Sequence, residues 1–249
     1  DGINKVAAVT ESNAPITVIE FAVRPIFIRP RQIGVIILVN GARSDLCNIV
    51  AHRRLIYMSG SIPTLAPGLQ IAVIGSQATL VEADFGFTHT LLDDADAALF
   101  VVSALTGPSE NDANQWSKAR ELYIPSLVLI TDFETGEIDF DDMALIAGRI
   151  LDPLVTPYLV LHSDDGKPIA LIELETLKLF DYSSGKREIK PSEPEHQELV
   201  KEFAAEFRER VEEFGPTGFQ DALLFPALPY ISKLGLGKVE TLDRPPAQG

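Results

Sequence analysis

The chain has 249 residues, 46% of them hydrophobic, with 36 acidic against 21 basic side chains and a formal net charge of -15. This length suits one large domain or a domain with a smaller insertion, and the hydrophobic content supports a sizeable core, which excludes global disorder. The acidic balance excludes general nucleic-acid binding, which depends on Lys and Arg displacing counterions, and the single cysteine, Cys47, excludes an internal disulfide.

A reducing, cytoplasmic setting fits that cysteine usage. The longest wholly apolar runs, such as Val35–Val39 and Ala97–Val102, fall far short of the roughly 20 residues that span a bilayer, so no membrane association is expected.

Ile16–Val23 and Ile26–Ile28 read as short strands fenced by Pro15, Pro25 and Pro30. Proline removes a ladder donor, so they suit an edge or an arm, taken as residues 1–32. Ile33–Val39 is a continuous β-branched run, the pattern of a strand buried on both faces of a parallel sheet. Asn40-Gly41-Ala42-Arg43-Ser44 is a turn, and Ser44 or Asp45 caps a helix through about Met58. Ser59–Gly68 reads as a loop with Pro63 and Pro67. Leu69–Ile74 is a second buried strand and Val81–Asp93 a helix. Ala97–Val102 is a third buried strand, ended by Thr106-Gly107-Pro108.

Asn111–Leu122 is an amphipathic helix containing Trp116. Ser126–Ile130 is the fourth buried strand. Asp139–Leu151 is a helix with acids at its start, where the dipole favours negative charge. Strands alternating with helices at this spacing indicate a mostly parallel α/β domain.

The texture changes after Pro153. Tyr158–His162 and Ile169–Tyr182 read as strands joined by the Asp164-Asp165-Gly166 turn, with a second turn at Ser183-Ser184-Gly185. Ser192–Phe214 is a long charged helix, with Ser192 and Glu195 spaced as a capping box. Ala222–Phe225 is a short strand, Val239–Leu242 begins a last helix, and Arg244–Gly249 is a tail.

Three blocks together resemble the GTPase domain of translation elongation factor G and its relatives. The first is Asp96 to Ala104 followed by Thr106-Gly107-Pro108. It is similar to the family's strand in which an Asp precedes an apolar run. The second is Trp116 to Phe140, where Ile124-Pro125 and Asp139-Phe140 flank the segment that is Asn-Lys-X-Asp in the family. The third is Pro168 to Tyr182, with Thr176-Leu177-Lys178 placed as in the family's inserted subdomain, and a charged helix follows in both. The resemblance runs from about Ile33 to Asp243.

It implies a P-loop-NTPase-like (Ras-like) α/β fold: a mostly parallel sheet with helices on both faces, plus a small inserted α+β subdomain. The degenerate GTPase-like part takes residues 33–155 and 222–243, the insertion 156–221 and the tail 244–249. In the family, further domains follow this part of the chain.

The nucleotide chemistry of such a fold needs particular residues. A P-loop cradles phosphates with backbone N–H groups, a Lys and a Ser or Thr on magnesium. In the best ungapped placement, Asp45 stands at the Lys position and Leu46 and Cys47 at the two Thr positions. A carboxylate there repels a triphosphate, and Arg43 is the only nearby cation. Gly75-Ser76-Gln77-Ala78-Thr79 replaces Asp-X-X-Gly-His, and His89 reads as an ordinary helix residue. Thr64 is the sole candidate for the magnesium-binding switch Thr. Thr131-Asp132-Phe133-Glu134 replaces Asn-Lys-X-Asp, where Glu134 keeps a carboxylate for guanine. Pro226-Ala227-Leu228 replaces Ser-Ala-Leu, keeping the Ala.

Four altered segments point to a fold kept without catalysis and without a cofactor, an interaction or scaffold module with a protein partner or the ribosome. The alternative is a divergent GTP-binding factor that holds GTP or GDP with magnesium and hydrolyses GTP. Its contacts would come from Gly41, Arg43, Ser44, Asp45, Thr131, Asp132, Glu134 and Ala227. A third reading places a new small molecule in the crevice at the strand ends. The four histidines are scattered, and Asp139, Asp141 and Asp142 read as a helix start, so no metal site is expected.

Overall fold

The computed structural model describes residues 22–28, 32–38, 56–59, 62–135, 137–215 and 217–242. The chain divides into two compact units, Asp1–Arg53 and Arg54–Gly249.

In the first unit, β1 (Ala22–Ile28) and β2 (Gln32–Leu38) pair antiparallel, from Ala22 opposite Leu38 to Ile28 opposite Gln32. The apolar run expected to enter a parallel sheet is therefore one arm of an antiparallel pair. A β-branched run favours a strand but does not choose its partner. Three intervening residues make the antiparallel pairing the one with the smallest loop-closure cost. The boundary expected between residues 32 and 33 falls inside this pair, and the units separate after Arg53.

The second unit opens with β3 (Ile56–Ser59) and β4 (Ile62–Leu65), an antiparallel pair. Residues 56–58 are thus strand where helix was expected, and the expected loop contains β4. The start of that expected helix lies outside the described residues.

Next come β5 (Ile71–Gly75), α1 (Ala78–Phe85), β6 (Ala97–Ser103), α2 (Glu110–Glu121), β7 (Ser126–Thr131), α3 (Phe140–Ile150) and β8 (Leu154–Val155). Short 3-10 turns cover Leu92–Asp94 and Phe133–Thr135. The insertion supplies β9 (Tyr158–His162), β10 (Pro168–Glu173), β11 (Lys178–Asp181), β12 (Glu188–Pro191), α4 (Pro194–Leu199) and α5 (Lys201–Phe214). The described part ends with β13 (Phe225–Pro229) and α6 (Lys238–Thr241).

The core is a five-stranded sheet in the order β5-β6-β7-β13-β8, parallel throughout. Every residue of β6 and β7 is buried, as a sheet covered on both faces requires. Trp116 of α2 meets Phe100 and Phe225 edge-on, with centroids 4.9 and 5.0 Å away. A second, antiparallel sheet runs β12-β11-β10-β9, and α4 and α5 follow it in the chain. The fold is α/β, a parallel sheet flanked by helices with an antiparallel addition.

Local chemistry explains three of the helix ends. Ser109 and Asp112 form a reciprocal capping box at α2, with bonds of 3.2 and 2.8 Å. Asp139 caps α3 by accepting from the Asp142 N–H at 2.9 Å, so the acids there serve a helix start. α1 stops at Phe85, short of the expected Asp93, because Gly86 takes the left-handed conformation at φ 72°.

Three other departures concern the insertion. The expected strand Ile169–Tyr182 is broken by a turn at 174–176, with Leu177 at φ 56°. β12 follows the second turn and escaped the sequence reading. The long helix splits at Val200, which is buried. Ser192 does not cap it: its Oγ donates instead to the Leu177 carbonyl at 2.5 Å, tying the helix start to the preceding turn.

Candidate functional site

In an open parallel sheet the ligand crevice lies at the strand C-terminal ends. Here the central strands leave the sheet at Gly75, Ser103 and Thr131. Gly75 pairs directly with Val101, at φ 127°. A Cβ at this position would sit 2.1 Å from the Val101 carbonyl oxygen. No side chain fits there, so no acid can stand at this position. The β5–β6 ladder runs to the last residue of β5, and β6 continues two residues further, to Ser103.

Asp132 follows β7 with φ 62°, a left-handed conformation that Asp tolerates. Its Oδ2 accepts from Ser103 Oγ at 2.5 Å, from Thr131 Oγ1 at 3.3 Å and from Gln77 Nε2. Ser103 Oγ in turn accepts from the Leu105 N–H at 3.2 Å. One internal carboxylate thus links the exits of β5, β6 and β7. Hydrogen bonds to an ionised acceptor are the stronger kind.

Phe133 turns inward, 1% exposed, and meets Phe140 edge-on at 6.0 Å. Glu134 faces solvent in the 3-10 turn. Thr135 Oγ1 closes this turn on the Asp132 carbonyl at 3.1 Å.

Of the residues expected to form a nucleotide site, the structure brings Thr131 and Asp132 together and holds Glu134 in the adjoining exposed turn. Ala227 lies inside β13, opposite Val128, fully buried and two residues before the strand ends. Three residues separate that level from Thr131, about 10 Å along a strand. The strand exits instead at Tyr230, whose N–H donates to the Ile130 carbonyl at 2.9 Å. An Ala–Leu pair resembles the family's strand-end signal, but the register placed it deeper. Gly41, Arg43, Ser44 and Asp45 lie outside the described residues. Thr64 is buried in β4, and His89 sits in a loop 3.0 Å from Glu82 instead of in a helix.

A cavity of about 320 Å³ remains beside the β5 and β6 exits, lined by Gly75, Ser76, Thr106, Gly107, Ser109, Asn111 and Asp112. Among the described residues no Lys or Arg lines it. Among the described residues no cluster of His, Cys, Asp or Glu could hold a metal ion, and no helix is long and apolar enough to cross a membrane.

Two clusters missed by the sequence reading fix the surroundings. Asp84, near the end of α1, accepts from Ser232 Oγ at 2.5 Å and Tyr230 Oη at 2.6 Å, while Lys238 Nζ donates to its carbonyl. The Ser232 and Tyr230 hydroxyls, with the Lys238 charge, hold the Asp84 carboxyl below its usual range. α1 is thereby tied at its start to Asp132 through Gln77 and at its end to the segment after β13.

Glu240 of α6 is 3% exposed. The Tyr182 hydroxyl lies 2.9 and 2.8 Å from its two oxygens, and Arg187 Nε donates to it at 2.7 Å. Burial, then the Glu240 charge, pushes the Tyr182 hydroxyl up, so it stays protonated as a donor. Neither cluster has a short-range motif: Tyr182 and Glu240 are 58 positions apart, and Asp84 and Tyr230 146.

No family model matches the chain. The "Elongation factor G-like protein" of Mycobacterium tuberculosis (strain CDC 1551 / Oshkosh) is 27% identical over 208 residues, covering 71% of this chain and 28% of that protein. The protein of the same name from strain ATCC 25618 / H37Rv matches to the same extent. The chain therefore spans about 28% of the length of the curated relatives it matches. A solved structure from Thermus thermophilus superimposes with a TM-score of 0.52 at 24% identity, covering 61% of this chain and 27% of that one. That superposition is a likeness of fold.

Proposed function

We propose that this elongation factor G-like domain, of the kind found in translation factors, neither binds nor hydrolyses GTP. In this reading it serves as an interaction or scaffold module in translation, on the ribosome or on a protein partner, in the cytoplasm. The observation that carries this is the Asp132 carboxylate, held by Ser103, Thr131 and Gln77 where the strands end.

A nucleotide's phosphates need cations and backbone N–H groups. Among the described residues this crevice offers a fixed negative charge and a cavity lined by Asp112 with no Lys or Arg. Gly75 adds to this, since the magnesium-coupling acid of an Asp-X-X-Gly segment has no room there. The excess of acidic side chains suits a basic partner surface and steers it electrostatically.

Titration with fluorescent GTP and GDP, with magnesium present, tests the reading. The expected result is no saturable binding below about 1 mM and no phosphate release above the buffer rate. Micromolar affinity or steady phosphate release overturns it in favour of a divergent GTP-binding factor.

A further inference from the structure

Away from the crevice, a cavity of about 340 Å³ opens between β4, the outer strands of the antiparallel sheet and α6. We propose that it binds a small zwitterion with an aliphatic tail, the chemistry of a free amino acid such as leucine.

Arg187 lines it and is locked in place. Its Nε is committed to Glu240 at 2.7 Å, and its Cζ lies 4.1 Å from the centroid of the Phe180 ring. The side chain is 22% exposed, so the guanidinium is fixed without being sealed off. A guanidinium fork has four Nη N–H donors beyond Nε, enough for the Tyr182 oxygen and for a ligand carboxylate. Because the plane is already held, binding costs little side-chain freedom. Lys178 supplies a second cation on the same wall.

The charge around this guanidinium chooses the ligand. Glu240 is spent on Arg187 and Tyr182. Glu173 and Glu175 also line the cavity, and Glu173 accepts one bond from Thr176. A carboxylate has room for more donors than that one. Carboxylates on the lining disfavour a phosphate dianion, and Glu173 favours a ligand that brings its own ammonium group. The rim is apolar: Ile189 is 58% exposed and Val239 37%, with Ile62 buried beside them. An aliphatic tail covers that rim while the charged head reaches Arg187 and Glu173.

The test is calorimetry and two-dimensional NMR on the full chain with leucine. Isovalerate carries the carboxylate alone, isopentylamine the ammonium alone, and inorganic phosphate the dianion. Leucine is expected to bind saturably with Kd of about 1 mM or below, and each other probe about tenfold more weakly. Arg187→Lys abolishes binding, with unfolding followed in parallel because that residue also holds Glu240. Glu173→Gln and Ile189→Asp, at the more open edge, keep the unfolding midpoint and weaken leucine about tenfold. The proposal is overturned by no saturable leucine binding up to about 20 mM. Equal binding of isovalerate or phosphate overturns it too, as does unchanged leucine affinity in both edge variants.

Discussion

Glu240→Ala is the most demanding test of how the antiparallel sheet is joined to the parallel core. The native carboxylate is buried on a helix of only four residues and meets two partners from the insertion. Removing it strands Arg187 and leaves the Tyr182 hydroxyl without its acceptor. Breaking a buried ion pair from one side costs about 3–5 kcal/mol. Arg187 is 22% exposed and can turn partly to water, which places the cost near the lower end, about 3 kcal/mol. For a unit of this size each kcal/mol lowers Tm by about 2–4 °C, so a fall of about 6–12 °C is expected.

Urea denaturation and thermal melts measure it. The paired replacement Glu240→Leu with Arg187→Leu should recover most of the loss, because it removes both charges together. A fall in Tm under about 2 °C for Glu240→Ala would refute the reasoning, for it would mean that the pair exchanges with water at no net cost.

Other outcomes follow from the same geometry. Asp132→Gly removes an acceptor of three hydrogen bonds but relaxes a left-handed backbone. The net loss should be about 1–2 kcal/mol, and formate, which can occupy the vacated donors, should restore part of it in urea melts. Gly75→Ala forces a Cβ to within 2.1 Å of a backbone oxygen. It should cost more than about 3 kcal/mol, read as lost soluble protein or a lower urea midpoint, and a native-like midpoint counts against the closed β5–β6 ladder.

Asp84 makes stability depend on acid. Its folded pKa is depressed, so its contribution is full above the unfolded carboxylate value of about 3.9. It is lost as pH falls through the lower folded value, a window in which the unfolded chain binds more protons. Tm measured across that window should fall less steeply in Asp84→Asn than in the wild type; equal slopes contradict the assignment.

The α/β alternation, the buried strands β6 and β7, the Trp116 helix and the Asp139 start of α3 were legible in the chain, each within a residue or two. All of them rest on signals confined to a few neighbouring positions: apolar runs, caps and proline turns. The insertion's first turn, at Asp164-Asp165-Gly166, was legible for the same reason. Local signals also misled where two of them competed. Gly86 ended α1 inside an apolar pattern, and Ser192 found the Leu177 carbonyl before it could cap a helix. At the crevice, the departures from the elongation factor G pattern came from the resemblance, but not how the residues present are arranged. That Asp132 would turn inward depends on Ser103 and Gln77, which reach it from other strand ends.

Composition and periodicity on their own established an acidic, well-cored α/β chain and its strand and helix types. Those properties depend on residue chemistry and on spacing along one element. Folding alone decided that β2 pairs with β1, that Ala227 lies below the crevice, and that Gly75 bars any side chain. It also decided that Glu240 is buried against Arg187 and Tyr182. Apart from the β1–β2 hairpin, each of these is a choice of partner between segments far apart in the chain. Such choices are made by register, burial and the cost of leaving a charge unpaired, none of which is written in any single stretch of residues.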